Sequence, residues 1–218
     1  MNLKKLIPSL LLFIAFIAFH NSFENNLFEL GLSWTMSGIA PYFLQFISAV
    51  LFGIQFNLFG PLESLKTRRI ISVSSVIVLC GIAFAVHPIY EGDFDNTFDE
   101  IHLASKTDEV PEGLTMIALP GCPFCKSRVK TLNQLYARNP RKEIQVILAS
   151  SDADMLSYYK KNLSSGIQAL NAKNPQFYAE LAQGRFPCFI YNDGTGDIRR
   201  WAQNGFGSSA LDWIEKRQ

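Results

Sequence analysis

Two stretches of this chain carry no charge over a length that bilayer chemistry constrains severely. Residues 39–60 (IAPYFLQFISAVLFGIQFNLFG) and 70–86 (IISVSSVIVLCGIAFAV) contain no Asp, Glu, Lys or Arg. At 22 and 17 residues they bracket the ~20 that a helix needs to cross a hydrocarbon core. Inside lipid every backbone N–H and C=O must be satisfied within the spanning structure, so each stretch is expected to be a helix. The alternative is a hairpin of core helices in a water-soluble protein, but such helices normally carry a polar face. Gln45, Gln55 and Asn57 are polar enough to prefer a helix–helix contact over lipid.

A third apolar run, residues 6–19 (LIPSLLLFIAFIAF), follows Lys4-Lys5. A positive start and fourteen apolar or small residues also describe a signal peptide. The residues that follow, His20-Asn21-Ser22-Phe23-Glu24, lack the small-residue character of a cleavage site, so an uncleaved span is expected. Lys4 and Lys5 precede the first span, and Lys66, Arg68 and Arg69 lie between the second and third. The positive-inside tendency then puts the start of the chain and the 61–69 loop in the cytoplasm and everything after residue 90 outside. Loss of residues 1–20 would leave that orientation unchanged. The expected spans are about 6–20, 39–60 and 70–87.

Charge divides the rest. Residues 1–90 carry five basic and three acidic side chains, residues 91–113 one and eight, and residues 114–218 fourteen and eight. The middle segment, with its run EGDFDNTFDE, is expected to be an acidic linker and the start of a domain, with residues 99–104 able to supply a first strand. The last segment is 105 residues long, enough for one small domain with its own core.

That segment opens on the residues that name a chemistry. Leu-Thr-Met-Ile-Ala-Leu-Pro-Gly-Cys-Pro-Phe-Cys, residues 114–125, is an apolar strand broken by Pro120-Gly121 and followed by Cys122 and Cys125 at C-x-x-C spacing. Pro123 suits a first helical position, where its missing N–H is not needed. Two thiols at a helix start face unpaired N–H groups and the positive end of the dipole, which favour the thiolate nucleophile. Half a zinc site is the rival, and it needs further Cys or His ligands. The chain's other cysteines are Cys80 and Cys188, and its histidines are His20, His87 and His102.

Further elements follow from period and punctuation. Residues 124–138 place Val129, Leu132 and Leu135-Tyr136 at helical spacing, and Asn139-Pro140 ends that helix. Ile144–Ala149 is an apolar run of strand length, and Ser151 or Asp152 caps a helix to about Asn162. A second helical stretch lies near Pro175–Gln183. Cys188–Tyr191, the turn Asn192-Asp193-Gly194 and Asp197–Trp201 read as a hairpin, and Ser208 to Lys216 as a closing helix. The order strand, helix, strand, helices, strand, strand, helix predicts a mixed sheet flanked by helices.

With C-x-x-C at the first strand-to-helix junction, residues 99–218 resemble the thioredoxin fold. Arg185-Phe186-Pro187-Cys188 places a proline immediately before a strand. The resemblance implies a cis-proline there, facing the dithiol. Cys-Pro-Phe-Cys is closer to the glutaredoxin and thiol-oxidase versions than to C-G-P-C. Residues 5–88, with Phe23-Glu24, Leu30-Gly31-Leu32-Ser33-Trp34 and the 39–59 run, resemble the MauE/DoxX group of redox-associated membrane proteins. Members of that group usually have four spans, whereas three are legible here. The expected fold class is therefore an α/β thioredoxin-like domain preceded by an all-α transmembrane segment of about three helices.

The resulting expectation is a membrane-anchored thiol–disulfide oxidoreductase on the outer face of a bacterial cytoplasmic membrane. Cys122 is the expected attacking thiolate and Cys125 the resolving thiol. Pro123 and Phe124 shape the local potential, and Phe186 and Pro187 form the wall for a substrate chain. Lys126, Arg128 and Lys130 either add positive potential or form a solvated helix face. Residues 114–120 contain no acid, so the buried proton-accepting Asp of thioredoxins has no counterpart there. Cys188 should point away from Pro187 as a buried thiol. Cys80, alone in its span, cannot form a transmembrane disulfide relay within the chain. The redox group is the Cys122–Cys125 disulfide itself, with no added cofactor or metal. Expected partners are protein or small-molecule thiols and disulfides, the lipid bilayer, and a membrane electron donor or acceptor, with no nucleic acid. A tethered metal-delivery or assembly module using the same dithiol is the alternative.

Overall fold

A computed structural model describes residues 5–60, 64–102, 110–195 and 197–217. Lys4, which carried part of the orientation argument, and residues 103–104 of the expected first strand lie outside them. The chain divides into two compact units, Met1–Tyr90 and Glu91–Gln218.

The first unit is helical: α1 (Ile7–Ala18), α2 (His20–Glu29), α3 (Trp34–Phe59) and α4 (Leu65–Val86). Of these, α3 and α4 are long and apolar enough to cross a membrane. The pair α1 and α2 passes the same test only as one broken span, bent by 70°. Helix α2 is not among the elements expected from the sequence. Ser33 caps α3, its side chain accepting from the Met36 N–H at 3.2 Å, which starts that helix earlier than the uncharged run does.

The inner face of α3 is small and polar, with Ser37, Gln45, Ser48, Ala49 and Gly53 buried. At Gly53 a Cβ would sit 2.7 Å from Val76 Cγ2, so glycine permits the close approach of α4. Two of the three polar residues singled out in the second span bridge helices. The Gln45 amide donates to the Phe16 carbonyl at 3.1 Å, and Gln55 Oε1 accepts from the Ser9 hydroxyl at 2.8 Å. His20 stacks on His87 with ring centroids 4.1 Å apart, joining the helix ends. Phe43, Phe46, Leu51, Ile70, Ile77 and Phe84 point outward, an apolar surface that suits lipid and not water.

The second unit is built on a six-stranded sheet of order β1-β6-β5-β2-β3-β4. Its strands are β1 (Asp99–His102), β2 (Gly113–Ala118), β3 (Ile144–Leu148), β4 (Gln168–Asn171), β5 (Cys188–Asn192) and β6 (Asp197–Trp201). The helices are α5 (Pro123–Arg138), α6 (Ala153–Asn162), α7 (Pro175–Leu181) and α8 (Ser208–Lys216). β2 pairs in parallel with β3 and antiparallel with β5, and β3 pairs in parallel with β4. The result is a mixed sheet with helices, a thioredoxin-like architecture.

Each face of the sheet has its own core. Ile117, Ile147, Ile190 and Ile198 pack with Phe177, Tyr178 and Leu181 of α7. On the other side Phe189 stacks on Phe206 at 3.7 Å, Trp201 meets Phe206 at 5.8 Å, and Arg138 of α5 pairs with Glu215 of α8 at 2.9 Å. Asp152 caps α6, accepting from the Met155 N–H at 2.9 Å, and Asn174 caps α7.

Two segments differ from the sequence reading. Strand β4 lies between the two expected helices, where no strand was expected. The acidic run after residue 91 is folded against the domain: the Ser208 N–H donates to the Asp93 carbonyl at 2.8 Å, and the Trp201 indole donates to Asn96 Oδ1 at 2.9 Å. β1 then pairs with β6, where Arg200 Nη2 meets Asp99 Oδ2 at 2.5 Å. Residues of this segment find long-range partners that local composition does not reveal.

Phe189 is fully buried, so Phe189→Ala removes the ring stacked on Phe206 and leaves a cavity. The expected loss is about 3–5 kcal/mol of stability in the second unit, seen as a lower urea midpoint with the far-ultraviolet spectrum retained.

Candidate functional site

The site begins with a turn. The Cys122 N–H donates to the Leu119 carbonyl at 3.3 Å, with Pro120 and Gly121 between them. Gly121 has φ +73°, the left-handed backbone that the third position of a type II turn requires. β2 is thereby stopped and the chain is turned into α5 within four residues.

Cys122 is the N-cap of α5 and Pro123 its first helical residue. Cys122 and Cys125 are joined as a disulfide, with Cα atoms 5.3 Å apart. The Cys125 N–H also donates to Cys122 Sγ at 3.1 Å. A backbone donor aimed at that sulfur, together with the helix dipole, favours its thiolate once the bond is opened. The two sulfurs differ in access. Cys122 is half-buried, whereas Cys125 is fully buried beside Val129, Leu132 and Leu135 on the inner face of α5.

Pro123 and Phe124 stand outside, Phe124 with 57% of its surface exposed. Phe186 is half-buried against the core and Pro187 is buried. The Phe186–Pro187 peptide bond is cis. Ile117 pairs with Cys188, so the register carries the start of β5 alongside the end of β2, at the edge of the sheet from which the dithiol loop departs. The site thus has an exposed aromatic ring at the helix start and a proline segment on the neighbouring strand.

The cations after the dithiol are not equivalent. Lys126 Nζ lies 5.0 Å over the Tyr158 ring of α6. Arg128 is largely desolvated, which lowers its value, while the Asp93 carboxylate acts in the opposite sense. The strand before the dithiol holds Thr115 in place of an acid, and the Gln145 amide of the neighbouring β3 donates to Thr115 Oγ1 at 3.1 Å, both residues buried. Tyr158 and the groove it helps to form were not singled out from the sequence, because nothing local shows that α6 packs beside α5.

Among the described residues no group of three or more His, Cys, Asp or Glu side chains is placed to hold a metal ion. Cys80 and Cys188 are free thiols. Cys188 is 1% exposed, and burial pushes its thiol from 9.0 up to about 12, with Asp99 adding to the rise and Arg200 opposing it.

No protein-family model matches the chain, and no curated protein matches it. Two solved structures are similar. One is a secreted Mycobacterium tuberculosis disulfide oxidoreductase described as homologous to E. coli DsbE. It is 18% identical over 48% of this chain and 80% of that one, with a TM-score of 0.39. The other is a thioredoxin-like protein from Bacteroides caccae, 10% identical over 84% of this chain and 83% of that one, with a TM-score of 0.35.

Two outcomes follow from the burial of the cysteines. After reduction, a brief pulse of iodoacetamide at pH 8 should modify Cys122 first within the second unit, and Cys188 only after denaturation. Peptide mass mapping reads this, and early labelling of Cys188 in the native protein would contradict it. The second outcome concerns alkaline pH. Between pH 9 and about 12 the folded chain keeps the Cys188 proton and the unfolded chain releases it. Stability therefore falls as pH rises through that window, by ~1.4 kcal/mol per pH unit for one proton. Tyr159, pushed up to about 12 by burial and then by Tyr158, contributes a similar slope above pH 10. Cys188→Ala should remove one proton's worth of slope and leave the tyrosine contribution, as read by urea unfolding at pH 8, 9.5 and 11.

Proposed function

We propose that this chain is a membrane-anchored thiol–disulfide oxidoreductase whose Cys122–Cys125 pair exchanges disulfides with protein or small-molecule thiols. The observation that carries this is the asymmetry of the pair. Cys122 is half-buried at a helix start and receives a backbone N–H, and Cys125 is sealed beneath it.

In the reductive direction the Cys122 thiolate attacks one sulfur of a partner disulfide. A mixed disulfide forms and the partner's other cysteine leaves as a thiolate. Cys125, losing its proton to solvent, then attacks Cys122 Sγ and releases the second partner thiol. Two electrons pass to the partner, two protons end on its thiols, and the Cys122–Cys125 bond is made. The oxidative direction is the reverse. Pro123 and Phe124 present the exposed edge of the site, and Phe186 and Pro187 line its neighbouring strand.

The first unit, with its resemblance to MauE/DoxX proteins, serves as the bilayer anchor and a docking surface for a membrane electron donor or acceptor. Lys66, Arg68 and Arg69 at the start of α4 support a cytoplasmic loop there. That orientation puts the second unit on the outer side of a bacterial cytoplasmic membrane, a compartment where disulfides persist.

Cys122→Ser should abolish disulfide reduction in an insulin turbidity assay. Cys125→Ser should trap a mixed disulfide with partner proteins, visible as a thiol-sensitive band shift. Full activity of Cys122→Ser would overturn the proposal. One tightly held metal ion per purified chain would favour a metal-delivery module instead.

A further inference from the structure

A groove of about 570 Å³ runs between α5 and α6. Lys126, Lys130, Asn133, Tyr158 and Asn162 are among the residues that line it, and no carboxylate does. Residues 122, 126 and 130 follow one another at four-residue spacing, so Cys122, Lys126 and Lys130 share one face of the chain as it enters and follows α5. The Lys126 N–H donates to the Cys122 carbonyl at 3.2 Å, which joins the first of these to the dithiol turn.

The opposite wall is pinned. The Asn133 amide donates to the Asn162 carbonyl at 2.8 Å, and Asn133 Oδ1 accepts from the Ser164 N–H at 2.8 Å. Asn133 therefore fixes the end of α6 against α5, and Tyr158 is held where its ring meets Lys126. Asp154 lies one turn before Tyr158 on α6 but does not line the groove. Two lysine side chains thus line a groove that starts one helical turn beyond Cys122, and among the described residues no carboxylate lines it.

We propose that this groove docks an acidic segment of the protein partner, adjoining the partner's reacting cysteine. The inference rests on the dithiol function proposed above and specifies the class of substrate. Along a helix axis Lys126 and Lys130 lie roughly 6 and 12 Å from Cys122 at 1.5 Å per residue. An extended peptide covers about 3.3 Å per residue, so carboxylates two and four residues from the partner's cysteine reach the two lysines in turn. Charge complementarity of this kind acts mainly on the rate of encounter and weakens with salt.

The test uses the oxidised full-length protein in detergent micelles and three single-cysteine peptides. One carries Glu two and four residues from its cysteine, one carries Lys at those places and one carries Gln. The peptide thiol attacks the Cys122–Cys125 disulfide, and the rate is followed by labelling the thiols released in the protein. Each rate is divided by the same peptide's rate with 2-hydroxyethyl disulfide, which removes differences in intrinsic thiol reactivity. The Glu peptide should react about tenfold faster than the Gln peptide at low salt, the lower end of electrostatic steering, and the Lys peptide more slowly than either. The ratio should approach one in 0.5 M salt, on the order of a 4 Å screening length. In Lys126→Gln/Lys130→Gln it should approach one at low salt too.

Equal normalised rates for the three peptides, or a ratio that survives the double substitution, would overturn the inference and leave the dithiol function standing. If 2-mercaptoethanol also failed to open the disulfide, the dithiol function itself would fall, and the docking inference with it.

Discussion

β2 is hydrogen-bonded along both edges, and the rest of the second unit depends on that. Met116 pairs with Val146 on one side and Phe189 on the other, and Ile117 with Ile147 and Cys188. Leu114 to Ala118 are all buried, so the strand is covered on both faces and cannot shift register without exposing one of them. Its end is therefore a fixed point. The turn through Pro120 and Gly121 converts that fixed strand end into a fixed helix start, and the helix start places one sulfur half in solvent and the other in the core. The unequal exposure of Cys122 and Cys125 is in this sense a consequence of where an apolar strand runs out.

The elements legible in the sequence are those whose signal is local. β2, β3 and the β5–β6 hairpin are apolar runs bounded by turn residues. α5 announces itself by Pro123 at its start, Asn139-Pro140 at its end and Val129, Leu132 and Leu135 between. What stayed hidden is held by distant partners. β4 is a four-residue edge strand in which Leu170 remains exposed, too short and too polar to show a period. β1, Asp-Glu-Ile-His, falls within the 99–104 stretch that the sequence offers as a first strand, and Arg199 and Arg200 of β6 receive its two carboxylates. α2, with His, Asn and Glu after an apolar run, is not among the expected elements. The cis bond at Pro187 has no signature beyond the position of the proline.

The candidate site divides the same way. The dithiol and the burial of Cys188 follow from residue type and spacing. The pairing of Lys126 with Tyr158 does not, because it depends on α6 returning beside α5. Arg128 is a further case: on the sequence it belongs to a basic cluster, and in the fold it is desolvated with Asp93 as its counter-charge, so the cluster is not uniformly available to a ligand. In the first unit, Gln45 and Gln55 behave as their polarity demanded, bonding across to α1 and leaving an apolar exterior.

The most direct measurement of the central claim is a redox titration of the full-length protein against glutathione buffers of graded potential. The free and paired states of Cys122 and Cys125 would be read by mass after alkylation. One reversible two-electron transition is expected, in which both cysteines change together, within the roughly 150 mV range between thioredoxin and strongly oxidising thiol oxidases. A pair that stays oxidised at every accessible potential, or cysteines that titrate independently, would contradict it.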